Sequence, residues 1–209
     1  MLRCYPSLDS SSRVVAAVEP VGILLVIAGP SGVGKGTIGK LLLSREPGLA
    51  WSVSATTRPP RPGEVEGDDY FFMGRDEFDA MREAGGFIES FEVYGQSKGT
   101  PKAAVLERLA SGGDILLEVD VQGALAVRTS IPEAVLVFLR APSPDAQRER
   151  LVGRGADDDE QIDRRLATAA EEEALMDHFD EVVINDDPER AAQAVAAILM
   201  ARRMQDGAL

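Results

Sequence analysis

The chain has 209 residues, 44% of them hydrophobic, with 35 acidic against 22 basic side chains and a formal net charge of −13. That length supports one good core with room for one or two small insertions, and the charge argues against nonspecific binding to nucleic acid or an anionic membrane. Its apolar runs are too short to span a bilayer, its single cysteine (Cys4) excludes an internal disulfide framework and suits a reducing, cytoplasmic setting, and its one histidine, His178, reads as a residue near a helix end.

Residues 1–20 look like an extension: Ser10-Ser11-Ser12, two arginines and no sustained periodicity. The apolar patches are too broken for a secretory signal, and Asp9 and Glu19 speak against a transit peptide. A flexible tail or an early start codon fits best. Val21 to Ala28 is apolar on both faces, as a central strand of a parallel sheet should be. Gly29-Pro30-Ser31-Gly32-Val33-Gly34-Lys35-Gly36-Thr37 follows and leads into Ile38-Gly39-Lys40-Leu41-Leu42-Leu43. Strand, glycine-rich turn and helix in that order, with Gly29-x4-Gly34-Lys35 spacing, describe a phosphate-binding P-loop. Its amides and helix N-terminus face an anion, and its lysine reaches the β/γ-phosphates. The hydroxyl expected after Lys35 is replaced by Gly36, with Thr37 next. Mg²⁺ is therefore expected to be held by substrate oxygens and water rather than by protein ligands.

The helix is predicted to end before Pro47-Gly48, and Ala50 to Ala55 to return as one short strand. Three prolines in four positions make Thr57-Arg58-Pro59-Pro60-Arg61-Pro62 irregular and stiff. Two arginines on such a loop suit bidentate phosphate recognition, the alternative being a solvated basic loop. Phe71 and Phe72 read as core, Arg75 to Ala84 as a helix, Phe87 to Tyr94 as a strand, and Gly95 to Thr100 as a turn before a helix opened by Pro101. The parallel pattern resumes with Ile115 to Asp120, whose carboxyl end brings Asp120 to the edge where ligands bind such sheets. Asp120 alternatively serves only to cap the next helix. Ala134 to Leu139 is a further strand, and Ser143-Pro144 cap and open a helix. Arg148, Arg150 and Arg154 lead to Gly155, Asp157 to Glu160 and Arg164-Arg165, a charged segment between helices. It suits either a closing lid or a solvated, ion-paired helix pair. Val182 to Asn185 is the last strand, and Asp187-Pro188 caps a helix with Ala192, Val195, Ile198 and Leu199 on its apolar face.

Strands alternating with helices imply one α/β domain whose parallel sheet is flanked by helices, interrupted near 53–102 and 146–169. A P-loop, an arginine pair and an arginine-rich lid suit phosphoryl transfer between two bound phosphate chains. Such chemistry needs in-line positioning, charge neutralisation and exclusion of water.

From Ile23 to Ile198 the sequence resembles guanylate kinase, a family of P-loop nucleoside monophosphate kinases that transfer phosphate from ATP to GMP. The resemblance rests on the P-loop, on Ser52-Val53-Ser54-Ala55-Thr56-Thr57-Arg58-Pro59-Pro60-Arg61-Pro62-Gly63-Glu64, and on Asp69-Tyr70-Phe71-Phe72, Phe87-Ile88-Glu89 and Gly99-Thr100-Pro101. Glu118-Val119-Asp120-Val121-Gln122-Gly123-Ala124 and Val183-Ile184-Asn185-Asp186 complete it. The Gly36-Thr37 order also fits this family. The resemblance implies a kinase domain over 21–209, with its core in 21–52, 103–145 and 170–209, a GMP-binding insertion at 53–102 and a helical lid at 146–169. It implies Lys35, Arg154 and Arg165 as catalytic, and Gly29 to Thr37 with Asn185 as the ATP side. Arg58, Arg61 and Tyr70 would bind the GMP phosphate, and Glu89 the guanine, with Ser54, Thr100 and Asp120 nearby and Glu118 close to the phosphates and Mg²⁺. Lys98 stands where the family usually has tyrosine, which opens the question whether it replaces that phosphate contact. GMP, dGMP, ATP and Mg²⁺ would be the ligands, in purine nucleotide metabolism, with no nucleic-acid or membrane partner. A kinase for another nucleoside monophosphate would not need Glu89 in this context. A guanylate-kinase-like interaction module would be expected to lose Lys35, Arg154 or Arg165.

Overall fold

The structure is a computed structural model that describes residues 22–93, 95–153, 158–205 and 207. The predicted extension at 1–20 and the lid residue Arg154 lie outside the described residues. Strand β1 (Leu24–Ala28) is buried along its whole length. It sits at the centre of a five-stranded, all-parallel sheet formed with β2 (Leu49–Trp51), β7 (Asp114–Glu118), β8 (Val135–Arg140) and β9 (Glu181–Ile184), in the order β2-β7-β1-β8-β9.

The alternation of β1 side chains separates two cores. Leu25 and Ile27 pack with Ile38 and Leu42 of helix α1 (Lys35–Arg45) and with Val195 and Leu199 of α7 (Pro188–Gln205). On the opposite face Leu24, Val26 and Ala28 pack with Leu109 of α3 (Lys102–Ala110) and with Ala124 and Val127 of α4 (Val121–Ser130). Both faces are covered, which is why the central strands read as unbroken apolar runs rather than alternating ones. Ala192, Val195 and Leu199 are buried and Ile198 is partly so, as the periodicity of the last helix requires.

A second sheet, β4-β3-β6-β5, comprises β3 (Ser54–Thr56), β4 (Tyr70–Phe72), β5 (Phe87–Val93) and β6 (Gln96–Pro101). With helix α2 (Arg75–Glu83) it lies within the interruption anticipated at 53–102. Two expectations are corrected here. The single strand predicted over Ala50 to Ala55 is two strands in different sheets. After Trp51 the Ser52 amide still donates to Leu116 O (2.8 Å), and the chain then leaves to pair with β6. The turn predicted over Gly95 to Thr100 is largely strand β6, held on one side by β5 and on the other by β3. Its sequence, Gln-Ser-Lys-Gly-Thr-Pro, has little strand propensity; pairing on both edges overrides it. Pro101 is accordingly the residue before α3 rather than its first helical residue.

The remaining elements are α5 (Pro144–Val152), α6 (Asp159–Glu173) and a 3₁₀ turn at Met176–His178, which puts His178 at a helix end as anticipated. Ser143 caps α5 by accepting from the Ala146 amide (3.1 Å), and Asp187 does the same for α7 through Arg190 N (2.9 Å). A capping box of Asp158 and Gln161 starts α6.

Candidate active site

Parallel pairing of β1 with β7 sets Ile27 opposite Glu118, so the loop after β1 and the carboxylates after β7 emerge side by side. The loop curls through Gly34, whose φ of 94° is left-handed. A β-carbon there would also lie 2.6 Å from Asn185 Nδ2. Glycine is required at this position twice over.

The loop carbonyls, which would repel a phosphate, are engaged by donors. Lys35 Nζ donates to Gly29 O (2.5 Å) and Pro30 O (3.2 Å), and Gln147 Nε2 donates to Ser31 O (2.7 Å). Asn185 Nδ2 donates to Val33 O (2.7 Å), and Arg150 reaches Val33 O (3.4 Å) and Asn185 O (2.7 Å). Asn185 Oδ1 is buried with no hydrogen-bond partner. It belongs to a cavity of about 200 Å³ shared with Gly32, Gly34, Thr37 and Arg150.

A second cavity of about 350 Å³ lies over the loop, lined by Lys35, Gly36, Glu118, Asp120, Arg165 and Glu172 among others. Arg165 Nη1 donates to Ser31 Oγ (3.0 Å), which brings α6 across the loop. A third cavity, about 220 Å³, is lined by Lys35, Ser54, Glu89, Lys98, Glu118 and Asp120. Lys35, Glu118 and Asp120 are common to both, so the loop cavity continues into the second sheet. A larger hollow of about 490 Å³ at the start of β8, lined by Arg128, Val135, Ile198 and Arg202, lies at the opposite end of the strands from the loop.

Glu89 is 6% exposed. Thr100 Oγ1 donates to its Oε1 (2.6 Å), while Oε2 is buried with no partner. Burial pushes this carboxyl above its ordinary range, opposed by the Thr100 hydrogen bond and the charge of Lys98, with Asp120 adding to the rise. Lys98 Nζ lies 5.3 Å from the Tyr70 ring centre, and Arg58 Cζ lies 5.3 Å from the same centre. Two cations thus meet one aromatic ring beside a buried carboxylate. Asp120 satisfies both readings of its position: it caps α4 by accepting from Gly123 N (2.7 Å), and it lines both cavities.

The sheet therefore brings Lys35, Ser54, Glu89, Lys98 and Asp120 together, with Thr100 behind Glu89 and with Tyr70 and Arg58 beside Lys98. Arg61 is exposed, its backbone amide tied to Glu64 Oε2 (2.7 Å). Phe71 and Phe72, expected in the core, are only half-buried, and the Phe72 ring centre is 5.7 Å from Arg58 Cζ. Strand β4 has three residues and lies at the edge of its sheet, so its side chains are only partly covered.

Two contributors, Gln147 and Glu172, were not singled out from sequence, and Arg150 was read only as part of the charged segment between helices, not as a tie to the loop. Gln147 and Arg150 tie the loop from α5, and Glu172 faces it from α6. Burial pushes the Glu172 carboxyl up against the opposing charge of Lys35. Arg165, Thr168 and Glu172 recur at i, i+3, i+7, a helical spacing that could have revealed this face.

The sequence model of the family described as guanylate kinase matches residues 22–202. A guanylate kinase of Rhodococcus jostii is 50% identical over 186 residues, covering 88% of this chain and 90% of its own. One of Gloeobacter violaceus is 52% identical over 183 residues, covering 88% and 89%. The crystal structure of guanylate kinase from Anaplasma phagocytophilum superposes with a TM-score of 0.68 at 34% identity, covering 88% of each chain. On the extent of these matches, and on a fold that joins a P-loop cleft to a small sheet bearing a buried carboxylate, the chain belongs to the guanylate kinase family.

Proposed function

We propose that this chain transfers the γ-phosphoryl group of ATP to GMP, giving ADP and GDP, and that dGMP serves as a second acceptor in purine nucleotide metabolism in the cytoplasm. The observation that carries the reading is Glu89: a buried carboxylate with an unpartnered oxygen, in a cavity that opens onto Lys35 of the P-loop. Guanine presents two adjacent donors, N1–H and the exocyclic amine, which a carboxylate accepts; adenine presents no such pair.

In this reading Thr100 holds Oε1 and fixes the Glu89 rotamer, while Ser54 and Asp120 flank the base. Arg58, Arg61, Tyr70 and Lys98 gather around the acceptor phosphate. Gly29 to Thr37 hold the ATP phosphates, and Asn185 Oδ1 meets the adenine side. Lys35, with Arg165 and Arg154 from the lid at 146–169, stabilises charge on the migrating group and shuts out water. No protein nucleophile is needed.

Among the described residues, no three His, Cys, Asp or Glu side chains are grouped to hold a metal ion. Gly36 lacks a side-chain oxygen, and the carboxylates that line the loop cavity are those of Glu118, Asp120 and Glu172. Such a donor set fits Mg²⁺ carried chiefly by ATP oxygens and water, with Glu118 and Asp120 orienting its water shell. Bound there, the ion supplies neutralisation of the β- and γ-phosphate charge. Small-molecule substrates are the proposed partners, without nucleic acid or membrane; no helix among the described residues is long and apolar enough to cross a bilayer.

The test is ADP release with GMP, dGMP, AMP, UMP or dTMP as acceptor. GMP should exceed AMP and the pyrimidine nucleotides in kcat/KM by orders of magnitude. Comparable rates with AMP would overturn the role given to Glu89, and turnover of ATP without any acceptor would make the chain an ATPase.

A further inference from the structure

Arg58 does not stand free on its proline-rich loop. Its Nη1 and Nη2 donate to Glu64 Oε2 (2.9 Å) and Oε1 (2.8 Å), a two-pronged pair, and Nη1 also donates to Pro59 O (2.7 Å). The two side chains are 14% and 19% exposed. Glu64 Oε2 accepts from Arg61 N as well (2.7 Å), so one carboxylate ties both ends of the arginine loop. The hydrogen bonds from Arg58, and next the Arg61 amide, hold the Glu64 carboxyl below its ordinary range. From the side, the Tyr70 and Phe72 rings, two residues apart on β4 and 5.8 Å between centres, both approach the guanidinium.

A guanidinium has five N–H groups in a rigid plane. Glu64 and Pro59 engage three of them, both on Nη1 and one on Nη2. The remaining two, on Nε and Nη2, share one edge and form a second fork. We propose that Glu64 and Phe72 are positioning residues of the acceptor-phosphate subsite, which fix the plane of Arg58 so that this second fork meets the phosphate of GMP. The inference rests on the reading of the cleft as a GMP site. A fork held in place loses little side-chain freedom when the phosphate arrives, which is where such a tie gains affinity.

The test compares GMP with guanosine, which shares the base and sugar but lacks the phosphate. Calorimetry on the full chain without ATP, steady-state kinetics and thermal unfolding are run for Glu64→Gln, which keeps the shape but loses the charge, and for Phe72→Leu. Glu64→Gln should weaken GMP about tenfold and Phe72→Leu about two- to threefold. Guanosine affinity and the KM for ATP should not move, kcat should change less than the KM for GMP, and the unfolding midpoints should stay near that of the unaltered chain. Equal weakening of GMP and guanosine would mean that Glu64 merely props the loop. Unchanged GMP binding would mean that Glu64 does not position Arg58, and tighter binding that it withholds Arg58 from the phosphate. Either result overturns the proposal while normal GMP turnover by the unaltered chain leaves the kinase reading intact. An unaltered chain that does not bind GMP would overturn both.

Discussion

In its proposed role, Glu89 is worth more to the substrate than to the fold. Its carboxyl pKa is raised, first of all by burial, so the folded state disfavours the ionised form. The sign follows: the destabilisation is absent below the ordinary carboxylate range and grows as pH rises through the raised value. Glu89→Gln should therefore raise the unfolding midpoint at neutral pH by about 2–4 °C, the shift expected for ~1 kcal/mol in a chain of this size. The same change should lower kcat/KM for GMP by about 10- to 100-fold, because an amide donor then faces the donors of guanine. Binding needs the carboxylate, so the KM for GMP should climb as pH falls through the raised pKa, with the KM for ATP flat. The variant should lack this limb. Lys98 acts on the same group, since its charge opposes the rise. Lys98→Ala should shift the acid limb to higher pH and raise the KM for GMP several-fold at low salt. Added salt should shrink the KM effect, as expected for a half-exposed cation facing a dianion. A pH profile superimposable on that of the unaltered chain would place Lys98 outside the electrostatics of Glu89.

At the level of elements, exposed polar contacts join helix α6 to the P-loop and to α5. Arg165 donates to Ser31 Oγ (3.0 Å), and Arg148 of α5 pairs with Asp163 (2.5 Å). Exposed pairs of this kind contribute about 0–1 kcal/mol each, so α6 is held mainly by its buried Ile162 and Ala169 and can carry charge over the loop on contacts that are easily exchanged for a ligand. Such a helix suits the proposed lid. Arg165→Ala should lower kcat by about 10²-fold, as for loss of one donor to a developing charge, while the KM for GMP changes less than about threefold. Stopped-flow and steady-state kinetics at saturating ATP would check this split; a pure KM effect would move Arg165 from the reaction to ground-state binding.

For the molecule as a whole, the end of the sheet away from the site carries its own clamp. Arg203 near the end of α7 pairs with Glu46 after α1 and with Asp114 at the start of β7, each at 2.7 Å. Asp114 Oδ1 also accepts from the Ile23 amide (2.8 Å), at the entry to β1. One arginine thus ties both flanking helices of one face to the two central strands. Arg203→Ala would leave two carboxylates, only 17% and 10% exposed, without their cation. A loss of about 2–3 kcal/mol is expected, with the unfolding midpoint lower by roughly 4–12 °C. Because the clamp and the cleft lie at opposite ends of the strands, kcat/KM for GMP at 25 °C should be unchanged. A matching fall in activity would show that the two ends are coupled.

Local signals sufficed for the parallel core. An unbroken apolar run, a glycine turn and a helix specify β1, the P-loop and α1 because each is dictated by neighbours in the chain, and the caps Ser143 and Asp187 act on amides three residues away. The proline-stiffened arginine loop was legible for the same reason. The small sheet was not. Strand β6 carries no apolar alternation, and it is extended because β3 and β5, some forty residues before it and immediately before it, pair with its two edges. Phe72 looked like core because its composition is apolar, yet its short strand lies at the rim, beside Arg58. Gln147 and Glu172 escaped, and the loop contact of Arg150 with them, because a polar residue on an amphipathic helix looks the same whether it meets water or a loop more than a hundred residues away. Sequence alone determined the parts whose partners are adjacent in the chain. Tertiary structure decided the proposed acceptor pocket, because the burial of Glu89 and the gathering of Lys98 and Arg58 about Tyr70 exist only once distant strands have paired.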